Sequence, residues 1–441
     1  MTILPQGSWP DRDAGGAGQP VSLGSQAEPR PVPLSVPSPP ATPNATAPVA
    51  PSGPPSRRAL LSGLAGLGAG FLSVARNAAA QGGPKASWPR EVTDLLGRRV
   101  TIASPPRAVL LGEGFQLLNL ALIHPDPPSI LAGTGGDLRS VDPMGDAALR
   151  LRFPGLARVP EITAGVGQGF SVERALGLRP DLVVLSAWQN ASEETRRNVQ
   201  VLAAAGVPVI FIDTFINPLA NTLPTLRLLG EALGREEAAG AYIRFYEERL
   251  ALIRARVAAA PPGPGVLMQA FPVRWPCCWV EGPGRSTGEL LNLLGARNVA
   301  RDALPGPGGG QVGMEQVLLM QPEVYIGTGL YRPGERLGIA LGTGAPAEEA
   351  RRSLAEALKA PELAYLPAVR SGRAHGLWNP FNGAAINIVA LEAMARWVRP
   401  ELFPELDPAA TLDEINRRFS ALPFEGTYWV SADPSRDRPG G

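Results

Sequence analysis

Aromatic, acidic and basic side chains gather where short apolar runs of this chain end. Glu113 and Phe115, Arg139, Trp188, Phe215, Arg274 with Trp275 and Trp279, Tyr331 with Arg332, and Trp378 with Phe381 all stand at such points, and Asn379 and Asn382 flank the last of them. Aromatic faces suit a large, partly apolar ligand, and guanidinium forks bind carboxylate, hydroxamate or catecholate oxygens. Packing beneath a loop is the competing use of each aromatic. Arg outnumbers Lys 39 to 2, so any one Arg carries less weight than usual; Arg139 and Arg274 are the expected charge contacts.

Other chemistry is weaker in the sequence. Gly284-Arg285-Ser286-Thr287-Gly288 matches a hydrolase elbow, and His375 lies downstream. The elbow needs a strand before the serine, and Glu281-Gly282-Pro283-Gly284 reads as a turn, so Ser286 or Thr287 is expected to be a helix N-cap. No catalytic residue is assigned. The two cysteines are adjacent, Cys277-Cys278, and are expected to form a structural loop or a vicinal disulfide rather than a soft-metal site. His124 and His375 are the only histidines, and surface or satisfied positions are expected for both. Gly306-Pro307-Gly308-Gly309-Gly310 lacks the Lys-Ser/Thr of a phosphate loop. No metal site and no cofactor are expected.

These residues need elements to hold them. Short apolar runs alternate with helical patterns, the signature of an α/β parallel-sheet architecture. Strands are expected at Ala108 to Gly112, Ser129 to Ala132, Asp181 to Ser186 and Val207 to Asp213, with helices at Phe115 to Leu122, Ser171 to Leu178 and Glu193 to Ala205. A second set has strands at Val266 to Ala270, Val324 to Thr328 and Ala374 to Trp378, and helices at Gly288 to Leu294, Gly313 to Met320, Ala347 to Ala357 and Ala384 to Val398. Between the sets, Tyr242, Phe245, Tyr246, Leu250, Ile253 and Val257 recur at helical spacing within 236–260, a helix of about 37 Å. The expected fold is two Rossmann-like α/β lobes, 92–235 and 265–430, joined by one long bridging helix, with the ligand in the cleft between them.

Composition sets the front apart. Of 48 prolines, 14 fall in the first 56 residues, so residues 1–55 are expected to be a disordered Pro-rich segment. Residues 56–80 carry Arg57-Arg58, a soft Gly-containing apolar core, Arg76 and Ala78-Ala79-Ala80, the pattern of a twin-arginine export signal cleaved near Ala80. The whole chain has a net charge of +1, and the part after Ala80, with 36 basic and 37 acidic groups, has −1. Such a balance argues against nucleic-acid binding through bulk charge.

The residues in order carry a resemblance. Thr93-Asp94-Leu95-Leu96-Gly97-Arg98-Arg99-Val100, Ser171-Val172-Glu173-Arg174-Ala175-Leu176 running to Arg179-Pro180-Asp181, Ala204-Ala205-Gly206-Val207-Pro208-Val209, and Gln311-Val312-Gly313-Met314-Glu315 running to Gln321-Pro322-Glu323 are similar to segments of the periplasmic binding proteins of iron-complex ABC importers, which take up ferric siderophores, haem or cobalamin. The resemblance spans about residues 92 to 430 and implies a helical-backbone binding protein without catalysis. It implies a periplasmic location, a monomer, and an inner-membrane permease with its ATPase as partners. The implied ligand is a small-molecule metal chelate, a ferric siderophore before haem or cobalamin. It further implies that Glu173 and Glu315, one per lobe, dock onto the permease.

Overall fold

Residues 87–437 are described by a computed structural model of the chain; the Pro-rich front and the export segment lie outside the described residues. A hairpin of β1 (Arg90–Thr93) and β2 (Arg99–Ile102) leads into the first lobe. Its sheet contains β3 (Val109–Leu111), β4 (Leu131–Gly135), β5 (Glu161–Thr163), β6 (Leu182–Ser186) and β7 (Val209–Ile212), all parallel in the order β5-β4-β3-β6-β7. Alternation along each strand divides the core, as a period of two requires. Leu110, Val183, Leu185, Val209 and Phe211 pack on one side with Ala175 and Leu202 of the covering helices. Val109, Leu111, Leu182, Val184, Ile210 and Ile212 join the larger core on the other.

The expected strand at Ser129 to Ala132 lies later in the chain, because Pro127 and Pro128 start a 3-10 turn over Pro127–Ile130. Several helices fall outside the segments expected from spacing, Pro408–Arg418 among them, and two of them border the first lobe's strands. One is Pro143–Arg152, capped by the Asp142 carboxylate, which accepts from the Gly145 N–H. The other is Pro218–Leu233, whose internal Pro224 conceals it from a reading that treats proline as a stop.

The bridging helix runs Glu236–Ala258, and Tyr242, Phe245, Tyr246, Leu250 and Ile253 are buried along it. Its polar atoms bind the second lobe. The Tyr242 hydroxyl donates to the Ala385 carbonyl at 3.0 Å, and the Tyr246 hydroxyl donates to Asn387 Oδ1 at 2.8 Å. Asn387 Nδ2 in turn donates to Thr222 Oγ1 in the first lobe, so one asparagine ties three helices.

The second lobe holds β8 (Gly265–Ala270), β9 (Trp279–Val280), β10 (Arg297–Asn298), β11 (Gly310–Gln311), β12 (Val324–Gly329), β13 (Gly342–Thr343), β14 (Ala374–Trp378), β15 (Gly426–Thr427) and β16 (Trp429–Ser431). The main sheet is ordered β11-β9-β8-β12-β14-β16, with β10 also on β8, and its centre, β8-β12-β14, is parallel. The strands β13 and β15 form a separate pair. The fold is therefore two α/β lobes joined by one long helix.

The lobes repeat one local device. The helix Val172–Gly177 is followed by Arg179 in the left-handed region at φ 52°, then Pro180, Asp181 and β6; the helix Met314–Met320 is followed by Gln321 at φ 45°, then Pro322, Glu323 and β12. Asp181 accepts from the N–H groups of Arg107 and Ala108 just before β3, and Glu323 accepts from Gly265 N–H at the start of β8.

One buried charge makes stability depend on pH. Glu392, on the helix Asn387–Val398, is 2% exposed and its Oε2 has no hydrogen-bond partner. Burial pushes its carboxyl up to about 7, against the pull of Thr411 and Arg249, while Asp407 and Glu414 push the same way as burial. The folded chain thus keeps a proton that the unfolded chain releases near 4.5. Stability from this group is present at low pH and is lost as pH rises through 7. Between about pH 5 and about pH 8, wild type should lose about 2–3 kcal/mol relative to Glu392→Gln in urea unfolding. A constant difference between the two proteins would show that Glu392 stays ionised when folded.

Candidate functional site

The carboxyl ends of the two sheets meet. Asn119, after β3, donates through Nδ2 to the Gly383 carbonyl and accepts from Ala385 N–H, and the Thr214 hydroxyl, after β7, donates to the same Gly383 carbonyl at 2.6 Å. On one flank Arg332 donates to the Ser140 carbonyl and Thr343 to the Asp142 carboxylate. On the other, Ser286 N–H donates to the Ile216 carbonyl and Leu219 N–H to Glu289. Loops that follow strands in both lobes therefore border one cleft.

Two aspartates set the first-lobe loops. Asp137 accepts from the N–H groups of Gly114 and Phe115, and Asp213 accepts from those of Phe215, Ile216 and Asn217. These bonds close the turns locally, and the Phe115 ring is buried against Gly383 of the second lobe. Glu113 stands at the first turn. Its carboxylate accepts from the Ser186 hydroxyl and, at 3.2 Å, from the Trp188 indole N–H. Behind Ser186, Asn119 Nδ2 donates to Gln116 Oε1, and Gln116 Nε2 donates to Ser186 Oγ. Burial first, and the neighbouring Asp137 second, push the Glu113 carboxyl up to about 7, against the pull of these donors. Near neutral pH it can donate as an acid or accept as a carboxylate, so it can meet either polarity of ligand group. Ser186, Gln116 and Asn119 carry no spacing signal in the sequence, since the network closes only when β3 and β6 pair.

Across the cleft, Phe271 and Trp275 pack with ring centroids 4.5 Å apart and planes tilted by 47° after β8. Arg274 is ion-paired with Glu335 at 3.0 Å, and Arg332 reaches the same carboxylate at 3.8 Å. Two guanidinium groups sharing one carboxylate leave one net positive charge at this rim. Tyr331 is partly buried beside Arg332, and Asn379 Nδ2 donates to Thr328 Oγ1 at the end of β12. Glu113, Arg274, Trp275 and Tyr331 thus occupy loop positions, and Trp188 and Asn379 lie in 3-10 turns, all with partly exposed side chains.

The other expected contacts are placed differently. Arg139 is exposed and paired with Glu161 at 2.5 Å and Asp146 at 3.5 Å, the same two acids that hold Arg150, so its charge is taken up within the first lobe. Trp378 and Phe381 are fully buried, at 0% exposure, and are core beneath the cleft rather than its lining. Trp279 lies on β9, opposite Ala270 and Gln311, and its indole packs against Gly309. Glu173 and Glu315 are exposed at the second positions of the two repeated helices, away from the strand ends that form the cleft.

Ser286 does occupy the N-cap position of the helix Thr287–Leu293, but its hydroxyl makes no capping bond and is buried without a partner. Its backbone adopts φ 54° and ψ −140°, outside the extended conformation of an ordinary serine N-cap. His375 bonds instead to Ser431, within the β14–β16 ladder. The expectation of satisfied histidines fits His124, whose two ring nitrogens meet Asp126 N–H and Arg235, but His375 Nε2 is buried without a partner. Cys277 and Cys278 are joined as a disulfide.

Comparison with known proteins gives three findings. Residues 152–377, about half of the chain, match the family described as periplasmic binding protein. A vitamin B12-binding protein of Yersinia pestis is 30% identical over 200 residues, covering 45% of this chain and 64% of the relative, so the match spans less than two thirds of that relative's length. Among solved structures, a TroA-like periplasmic binding protein, FepB, from Veillonella parvula superposes with a TM-score of 0.70 at 23% identity, over 78% of this chain and 100% of its own. The molybdate periplasmic binding protein MolA of a Haemophilus influenzae ABC transporter superposes at 0.54 with 15% identity, over 75% of this chain and 97% of its own. The two superpositions speak to the fold.

Proposed function

Because the chain belongs to the periplasmic binding protein family, whose members bind small ligands and work with an ABC permease and ATPase, we propose that it captures a bulky metal chelate of low net charge, a cobalamin-type corrinoid, between its lobes and delivers it to such a permease. The observation that carries this reading is the charge balance of the cleft. One wall offers Glu113 with its carboxyl near 7, and the other offers two arginines that share Glu335. A corrinoid is a large, partly apolar disc rimmed with neutral amides, and it suits Trp188 and Trp275 with few formal charges. The similarity to vitamin B12-binding proteins supports the same choice.

A second reading, the ferric siderophore expected from the sequence, is favoured by Arg274 beside Trp275. A tris-catecholate would bring several negative charges to a rim with one to spare, so a neutral hydroxamate chelate is the siderophore class that fits. Export through the segment around Arg57-Arg58, action as a monomer and a periplasmic location belong to the same proposal.

Tryptophan-fluorescence titration of the full chain with cyanocobalamin, haem, a ferric hydroxamate, a ferric catecholate and molybdate tests it. Saturable quenching by cyanocobalamin in the micromolar range or tighter is expected, weakened about tenfold or more by Trp188→Ala. Quenching by a ferric chelate alone would transfer the function to the second reading. A response only to molybdate would overturn both.

A further inference from the structure

Beyond the cleft chemistry, we propose that Cys277, Cys278 and Glu362 form a redox-gated site for a thiophilic divalent cation such as Zn²⁺ or Cd²⁺. One ligand atom from each residue, the two Sγ and a carboxylate oxygen, lies within 4.8 Å of the others. In a tetrahedral zinc site, sulfur and oxygen ligands sit about 3.5–3.8 Å apart, so small side-chain rotations close the set. Cys278 is 0% exposed and Glu362 8%, while Cys277 is partly exposed and offers a way in.

Glu362 is the observation that points to a ligand. The residue is more than nine-tenths buried, and among the described residues no hydrogen bond or ion pair occupies its carboxylate, so its oxygens are open to a cation held together with the two sulfurs. Two thiolates and a carboxylate are a donor set for zinc or cadmium rather than for magnesium or calcium, and three protein ligands leave a fourth position for water.

The backbone holds both arms independently of the sulfur–sulfur bond. Cys278 N–H donates to the Val312 carbonyl at 3.0 Å and the Cys278 carbonyl accepts from Val312 N–H at 2.9 Å, continuing the β9–β11 ladder. The turn bearing Glu362 is anchored by Leu363 and Leu366, both at 0% exposure.

As a disulfide the pair has no thiolate to offer, so the site is closed. Reduction by a dithiol donor passes two electrons and two protons to the sulfur–sulfur bond, giving two thiols and leaving the donor as its own disulfide. Binding of M²⁺ then releases the two thiol protons and forms two metal–sulfur bonds. The site therefore reports the redox state of its compartment by gaining or losing a cation.

Cadmium titration of the full chain, followed by thiolate-to-cadmium charge-transfer absorption, tests this without the chelate. The chain reduced with a phosphine and freed of reductant anaerobically should bind one Cd²⁺, and the oxidised chain should show no such absorption. Cys277→Ser with Cys278→Ser should abolish the signal. Glu362→Gln should keep it but raise Kd about tenfold or more, with unchanged thermal unfolding in the metal-free state. Reduced wild type without the absorption, or Glu362→Gln with wild-type Kd, overturns the proposal; the oxidised and reduced wild-type chains provide the comparison even if a variant folds poorly.

Discussion

Reversing Glu173 and Glu315 together to Arg is expected to abolish ligand uptake through the importer while ligand affinity of the purified protein stays within about twofold. The two glutamates stand at equivalent points of a repeated device, each at the second position of a short helix that leads through a left-handed residue and a proline into a central strand. Both are exposed, and neither forms an ion pair among the described residues. The Glu173 carboxyl is held below the usual carboxylate range by its own backbone N–H and by the Ser171 hydroxyl, so it stays charged at neutral pH. Two fixed negative charges, one per lobe, are the arrangement that a pair of basic permease pockets would read as a register. Each single reversal should leave partial uptake. Lost affinity in the double variant would place the residues in ligand binding. Unchanged uptake would leave them only their favourable place at a helix start.

Trp378→Ala should lower folding stability by about 3–5 kcal/mol in urea denaturation, the largest effect expected of a single substitution at a residue first read as a ligand contact. The indole is sealed on every side. It meets Phe381 and Tyr428 edge-on at 5.1 and 5.0 Å, and Gly342, at φ 120°, passes so close that a Cβ there would sit 2.5 Å from the indole nitrogen. That nitrogen is buried and has no hydrogen-bond partner, so Trp378→Phe removes an unsatisfied donor while keeping most of the packing. The Phe variant should therefore cost less than the Ala variant and should leave ligand affinity unchanged. Stability within about 1 kcal/mol of wild type for Trp378→Ala, combined with lost ligand binding, would return the side chain to the cleft.

Particular residues show why some positions could be read from sequence and others not. Glu113, Trp188 and Trp275 follow strands whose apolar runs are local and unambiguous, so their place just past a strand end is legible in the sequence. Arg139 follows a strand in the same way, but Glu161 and Asp146 neutralise it, and Glu161 comes from the edge strand β5, which no periodicity announced. Trp378 ends β14 and Phe381 follows it, yet the pair β13–β15 and Tyr428 fold over them, and that cover comes both from β13, earlier in the chain, and from β15 and Tyr428, far later. The helix Pro218–Leu233 was hidden by Pro224, although buried Leu226, Leu229 and Leu233 hold it in place.

The two α/β lobes, the bridging helix over Glu236–Ala258 and the repeated helix–proline–strand device are legible along the chain, because apolar period, proline and glycine act over a few residues. Which polar groups face one another follows from packing alone. Ser186 meets Glu113 across 73 residues of chain, and Glu362 comes to lie beside Cys277 and Cys278. Burial and pairing of charge depend on which strands and turns lie side by side. That adjacency is a property of the whole packed core, with no local spacing to announce it.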